Sequence, residues 1–118
     1  MRSFTFAIGL SLIWGQLGFS QSMPFDPREA TVDTVHNAVF SGLSTCREVI
    51  SAFIARVEEY NNLTNSVLVL NPNALDIADS LDESLAAGNT TGPLFCVPVL
   101  LKDNYDTKDM PKIGRAHV

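Results

Sequence analysis

The chain has 118 residues, 46% of them hydrophobic, and a formal charge of −5, which fits one globular domain. Setting aside Arg2, Lys112 and Arg115, which lie in two atypical end segments, the 8 basic residues become 5 against 13 acidic ones, so the body carries −8. Such a balance, with no basic patch, excludes nucleic acid and an anionic membrane as partners, because phosphate binding needs clustered Lys and Arg.

In chain order, Met1-Arg2-Ser3 forms a short basic region and residues 4–19 an apolar one, with Gly18 and Ser20 as the small residues before a cleavage site. This pattern predicts a signal peptide over 1–20, with cleavage after Ser22 as the second choice, and hence a secreted protein. A transmembrane anchor is the competing reading. Ser11, Gly15, Gln16 and Gly18 interrupt the segment, which barely reaches the roughly 18 to 20 apolar residues that spanning needs, so no stable anchor is expected.

The body reads as helices and short strands. From 31 to 40, Val32, Val35, Val39 and then Leu43 recur at helical spacing, and Gly42 stands where a helix stops. His36, on this helix, reads as a surface or packing residue. Thr45-x-x-Glu48 is a capping box, so a second helix starts at Thr45 and buries Val49, Ile50, Phe53, Ile54 and Val57, fraying at Asn61-Asn62. Residues 66–70, Ser-Val-Leu-Val-Leu, read as a strand ended by Asn71-Pro72. Asn73 then caps a third helix with Leu75, Ala78, Leu81 and Leu85 inward, Gly88 as its stop, and Asp76, Asp79, Asp82 and Glu83 as a solvated face.

After the polar turn 88–92 comes the stretch with the most chemistry in it. Residues 92–106 begin with a Gly-Pro break and run through Leu94, Phe95, Cys96, Val97, Pro98, Val99, Leu100 and Leu101 into Lys102 and Asp103. The run predicts a buried strand that delivers one ammonium group to a fixed place. An isolated buried lysine has its pKa lowered until it can hold a neutral amine, and a neutral lysine is a base. Side chains alternate along a strand, so Asp103 points away from the face of Lys102 and reads as a structural hydrogen-bonding residue near the site. Two strands separated by a helix imply a parallel βαβ unit and an α/β class.

Secretion gives meaning to two further patterns. Cys46 and Cys96 are an even pair in an oxidising compartment, which permits a disulfide, with buried free thiols as the alternative. Cysteines so far apart, without histidines at ligand spacing, predict no metal site. Asn62-Leu63-Thr64 and Asn89-Thr90-Thr91 each fit the N-glycosylation pattern, both in expected polar turns.

The C-terminal heptapeptide, residues 112–118, shows no hydrophobic periodicity, and its back-translation resembles the start of a short-read sequencing adapter. It is expected to be a non-native tail, with a natural tail as the alternative. The organisation expected is a signal peptide over 1–20, a body over 21–111 and this tail over 112–118.

Gly92-Pro93-Leu94, followed by Val97-Pro98-Val99-Leu100-Leu101-Lys102-Asp103-Asn104, resembles the Gly-x-Leu-x-Gly-[Ile/Val]-Pro-[Ile/Val]-x-x-Lys-Asp element of the amidase signature family. The order of helices and strands before it is similar too, so the likeness covers 25–111. It implies an amidase-signature fold, with helices packed on a mixed, partly parallel sheet, and hydrolysis of carbon–nitrogen amide bonds. In such enzymes the lysine matched by Lys102 is held neutral and acts through a cis-peptide serine on a nucleophilic serine, with no cofactor. The partner implied is a small-molecule or peptide amide in the full-length protein. This sequence departs from the pattern at Cys96, where the family usually has glycine. The segment that carries the two serines is expected to lie beyond Lys102 in a longer protein, so the chain alone is expected to be an inactive, poorly folded, truncated N-terminal piece. Two other classes compete: a small secreted interaction protein in which Lys102 merely ends an edge strand, and a lysine that forms a Schiff base.

Overall fold

A computed structural model of the chain describes residues 25–90, 92–108 and 110. The expected signal peptide over 1–20 and the expected tail over 112–118 lie outside the described residues, as does Thr91 of the second sequon. Among the described residues the regular elements are three helices, α1 (Val32–Phe40), α2 (Cys46–Thr64) and α3 (Ala74–Ala86).

Each helix begins and ends for a local reason. Thr31 caps α1 by accepting from the Thr34 amide at 3.2 Å, while the Thr34 hydroxyl oxygen accepts from the Thr31 amide at 2.7 Å. Beyond its C-terminus Gly42 takes φ +74°. The capping box of α2 is reciprocal: the Glu48 amide donates to Thr45 Oγ1 at 3.0 Å and the Thr45 amide to Glu48 Oε2 at 2.9 Å. Rather than fraying at Asn61-Asn62, α2 runs on to Thr64 and closes with Asn65 in the left-handed region, which asparagine tolerates. After α3, Gly88 at φ +77° lets the Asn89 amide reach the Ser84 carbonyl at 2.8 Å, and its own amide donates to Leu85 at 2.9 Å. Those two bonds form a Schellman motif.

The start of α3 differs from expectation. Asn73 occupies the cap position at φ −95°, ψ 9°, outside the extended region, and its side chain makes no capping bond. Asn71 organises this turn instead, its Oδ1 accepting from the Asn73 amide at 3.0 Å and its carbonyl from the Ala74 amide at 3.1 Å.

The two segments read as strands have no ladder partner among the described residues. In 66–70, Val67 and Val69 are half-buried while Ser66, Leu68 and Leu70 are exposed, so the period of two survives without a sheet. Its backbone is paired by a side chain: the Asn61 amide group donates to the Val67 carbonyl at 2.8 Å and accepts from the Val67 amide at 2.9 Å. A carboxamide offers the same donor and acceptor as a peptide group, so Asn61 stands in for one residue of a neighbouring strand. The run after Gly92 does not start as a strand either. It turns first, the Val97 amide donating to the Leu94 carbonyl at 3.1 Å with Cys96 at φ +58°.

The buried core is small: Val35 and Val39 from α1, Cys46 and Val49 from α2, Ala78 from α3, and Phe95 and Cys96 from the turn. Ile50, Phe53, Leu81, Leu85, Val97 and Phe25 pack around it. Leu43, which continues the apolar spacing of α1 past Gly42, lies beyond the helix and is exposed. A disulfide joins Cys46 to Cys96 with Cα atoms 5.3 Å apart, tying the first residue of α2 to the turn.

Candidate active site

The first turn of α2 has its backbone donors accounted for. Asp82, from α3, accepts from the Cys46 amide at 2.7 Å with one carboxylate oxygen and from the Arg47 amide at 3.1 Å with the other. The Glu48 amide is held by Thr45 and the Thr45 amide by Glu48, so the four orphan N–H groups at the helix start are all satisfied. A carboxylate at this end also meets the positive pole of the helix dipole. Arg47 adds an ion pair with Asp79, one turn before Asp82 on α3. That hydrogen bond raises the guanidinium pKa further above its ordinary value. The acids of α3 are therefore not simply a solvated face: Asp79 and Asp82 dock α3 onto the start of α2. Their three-residue spacing places them together on one side of the helix, but only the tertiary contact reveals their partners.

The turn at 94–97 is joined to that helix start through Cys46. Cys46 and Cys96 are both buried, 0% and 3% exposed. Phe95, also buried, stacks on Phe40 with ring centroids 6.0 Å apart, and its carbonyl lies 3.1 Å from His36 Nε2. His36, read from sequence as a surface or packing residue, is a tether between α1 and the turn. Nothing in the sequence near it marks this role, since Phe95 lies 59 positions away.

From this anchored turn the chain runs to Lys102. Val97 and Pro98 are half-buried; Val99, Leu100 and Leu101 are exposed, Leu100 to 77%. Lys102 is exposed, and its carbonyl accepts from the Tyr105 amide at 3.0 Å, closing a turn over 102–105. The burial expected of this lysine is thus absent among the described residues, because the apolar run enters the core at Phe95 and Cys96 and leaves it before Val99. Asp103 is exposed in the same turn. Asn62 is exposed in the last turn of α2, on a helix rather than in a loop, with the Thr64 hydroxyl 3.0 Å from that of Ser66. Asn89 is exposed just after α3. The structure brings together Cys46 and Cys96. It leaves the two asparagines and Lys102 on exposed segments. An open groove between α2 and 67–70 is lined by Val57, Glu58, Asn61, Asn62, Val67, Leu68 and Leu70 and contains none of the residues matched to catalysis.

Comparison with known proteins places the sequence that runs through this segment. The family model described as Amidase matches residues 48–114, more than half of the chain, from the first turn of α2 through Lys102. The chain belongs to the amidase family. An amidase-named protein of Schizosaccharomyces pombe is 37% identical over 69% of this chain and 14% of its own length. A glutamyl-tRNA(Gln) amidotransferase polypeptide of Alkalilimnicola ehrlichii is 41% identical over 68% of this chain and 16% of its own. An amidase-named protein of Arabidopsis thaliana is 32% identical over 75% of this chain and 18% of its own. The chain therefore spans less than a fifth of the length of these relatives. No solved structure matches it.

Proposed function

We propose that the chain supplies the lysine-bearing part of a secreted enzyme that hydrolyses carbon–nitrogen amide bonds. The observation that carries this reading is the element at 92–104, lying wholly inside the span matched by the Amidase family. In the proposed cycle the neutral amine of Lys102 takes a proton from a cis-peptide serine, which takes the proton of a second serine. That second oxygen adds to the amide carbonyl, the amine leaves with the proton returned to it, and water opens the acyl-enzyme. Both serines are supplied by sequence beyond Lys102 in the full-length protein. Lys102 is exposed here, and in the proposed cycle the remainder of the protein covers it. The segments 66–70 and 97–101 find ladder partners in the same assembly, which gives the α/β sheet that these residues lack by themselves.

The same reading extends to the compartment. An N-terminal segment with signal-peptide features, a cysteine pair within disulfide reach and two exposed sequon asparagines support secretion and glycosylation at Asn62 and Asn89. In this reading the mature chain starts at Gln21, and 112–118 is a non-native tail.

The test uses the full-length gene product from a eukaryotic secretion host. Release of ammonia or amine from simple amides is expected, and Lys102→Ala is expected to abolish it. Turnover retained in that variant would show that another group is the base. A mass shift on removal of N-glycans, lost in the Asn62→Gln, Asn89→Gln double variant, checks secretion and modification independently of activity.

A further inference from the structure

We propose that the Cys46–Cys96 disulfide is a positioning device for Lys102: it holds Cys96 in a backbone conformation proper to glycine and so sets the direction in which the lysine segment leaves the helical layer. Cys96 sits at φ +58°, in the left-handed region that a Cβ disfavours, and it is the third residue of the turn closed by Val97 and Leu94. Residues other than glycine persist there only where the surroundings over-determine them. Here three surroundings do: the covalent bond to Cys46, the stacking of Phe95 on Phe40, and the His36 contact to the Phe95 carbonyl. Of these the bond alone acts on Cys96 itself. Its other end is rigid, because Cys46 opens α2 and its amide is held by Asp82.

The direction set at Cys96 is transmitted onward. Val97 packs against the core, Pro98 is half-buried with φ fixed by its ring, and only Val99, Leu100 and Leu101 separate this support from Lys102. A change of φ at Cys96 from the left-handed to an ordinary region swings everything after it, and the lysine with it. Cys46 and Cys96 are thus positioning residues. Their catalytic consequence rests on Lys102 being the base proposed above, whereas the conformational claim does not.

Two double variants separate the crosslink from the conformation. Cys46→Ala with Cys96→Gly loses the bond but keeps easy access to positive φ; Cys46→Ala with Cys96→Ala loses both. Hydrogen exchange of the full chain is read over 94–101 by mass spectrometry. The oxidised chain is expected to exchange most slowly there, and the alanine double variant about tenfold faster than the glycine one, the ratio that a left-handed Cβ penalty gives. Equal exchange in the two variants, or alanine as protected as the oxidised chain, overturns the proposal. Where the chain does not fold without its crosslink, the same variants in the full-length gene product carry the test. The glycine variant is then expected to keep about ten times the kcat of the alanine one at equal KM, and equal kcat overturns the proposal. Turnover surviving Lys102→Ala would remove the base assignment and leave the exchange result standing; equal exchange would remove the positioning claim and leave the base.

Discussion

Asp82 does for α2 what no residue of α2 does: one carboxylate satisfies two successive backbone N–H groups at the helix start, and one of them belongs to the fully buried Cys46. Removing it leaves that buried donor without a partner. Asp82→Ala should therefore cost about 1–3 kcal/mol, read as a lowered urea midpoint. Asp79→Ala, which only breaks a half-exposed ion pair with Arg47, should cost about 0–1 kcal/mol. The order matters more than the values, and a larger loss at Asp79 would mean that the ion pair, not the cap, joins α2 to α3. Asp26 presents a different case. Its bonds from the Arg28 side chain and backbone amide lower its carboxyl pKa to about 2, although both side chains are more than half exposed. A depressed folded pKa means a stabilising contribution present above the ordinary carboxylate range and lost as pH falls towards 2. A carbon-13 NMR titration should place the Asp26 midpoint near 2 and return it upward in Arg28→Ala, with little change in stability because the pair is solvated.

Elements with local causes are the ones legible in the sequence. The capping box at Thr45 and Glu48, the stops at Gly42 and Gly88, and the inward faces led by Val35, Val49 and Ala78 involve residues within a turn or two of one another. The glycine at 88 gives a clean test of one such cause. A Cβ there would meet nothing within 4 Å, so Gly88→Ala should cost about 1–2 kcal/mol through φ +77° alone. Glu83→Ala, at an exposed position of α3, should cost nearly nothing. Thermal unfolding of both variants checks it, and equal midpoints would show that the Schellman turn does not depend on its glycine. The strand expectation fails for the complementary reason. A strand is a relation between two segments, and among the described residues the backbone of 66–70 is paired by the Asn61 side chain and by no second strand. The roles of Asp82 and His36 are equally hidden, since their contacts span 36 and 59 positions. The candidate site divides along the same line: the motif around Lys102 can be read from spacing, whereas its exposure depends on what packs over it.

For the molecule as a whole, covalent and non-covalent terms are unequally shared. Among the described residues the core contains seven buried apolar residues, while the disulfide closes a loop of 50 positions, an entropic constraint on the unfolded chain of about 4 kcal/mol. The crosslink thus binds the helices and the turn into one unit, but its reach ends where the chain leaves the core. Beyond it, Val99, Leu100 and Leu101 form an exposed apolar run, with Leu94 also exposed before the turn. Such a run, β-prone and uncharged until Lys102, is a template for pairing with another copy of itself. Leu100→Asp should leave helicity unchanged and stability within about 0.5 kcal/mol of the parent. It should also reduce concentration-dependent self-association measured by light scattering. Where pairing strands cover the run, as in the full-length enzyme proposed above, the same substitution buries a carboxylate and should lower stability by several kcal/mol. The contrast between the two contexts, more than either result alone, would show that this segment acquires its environment from sequence beyond the helical layer.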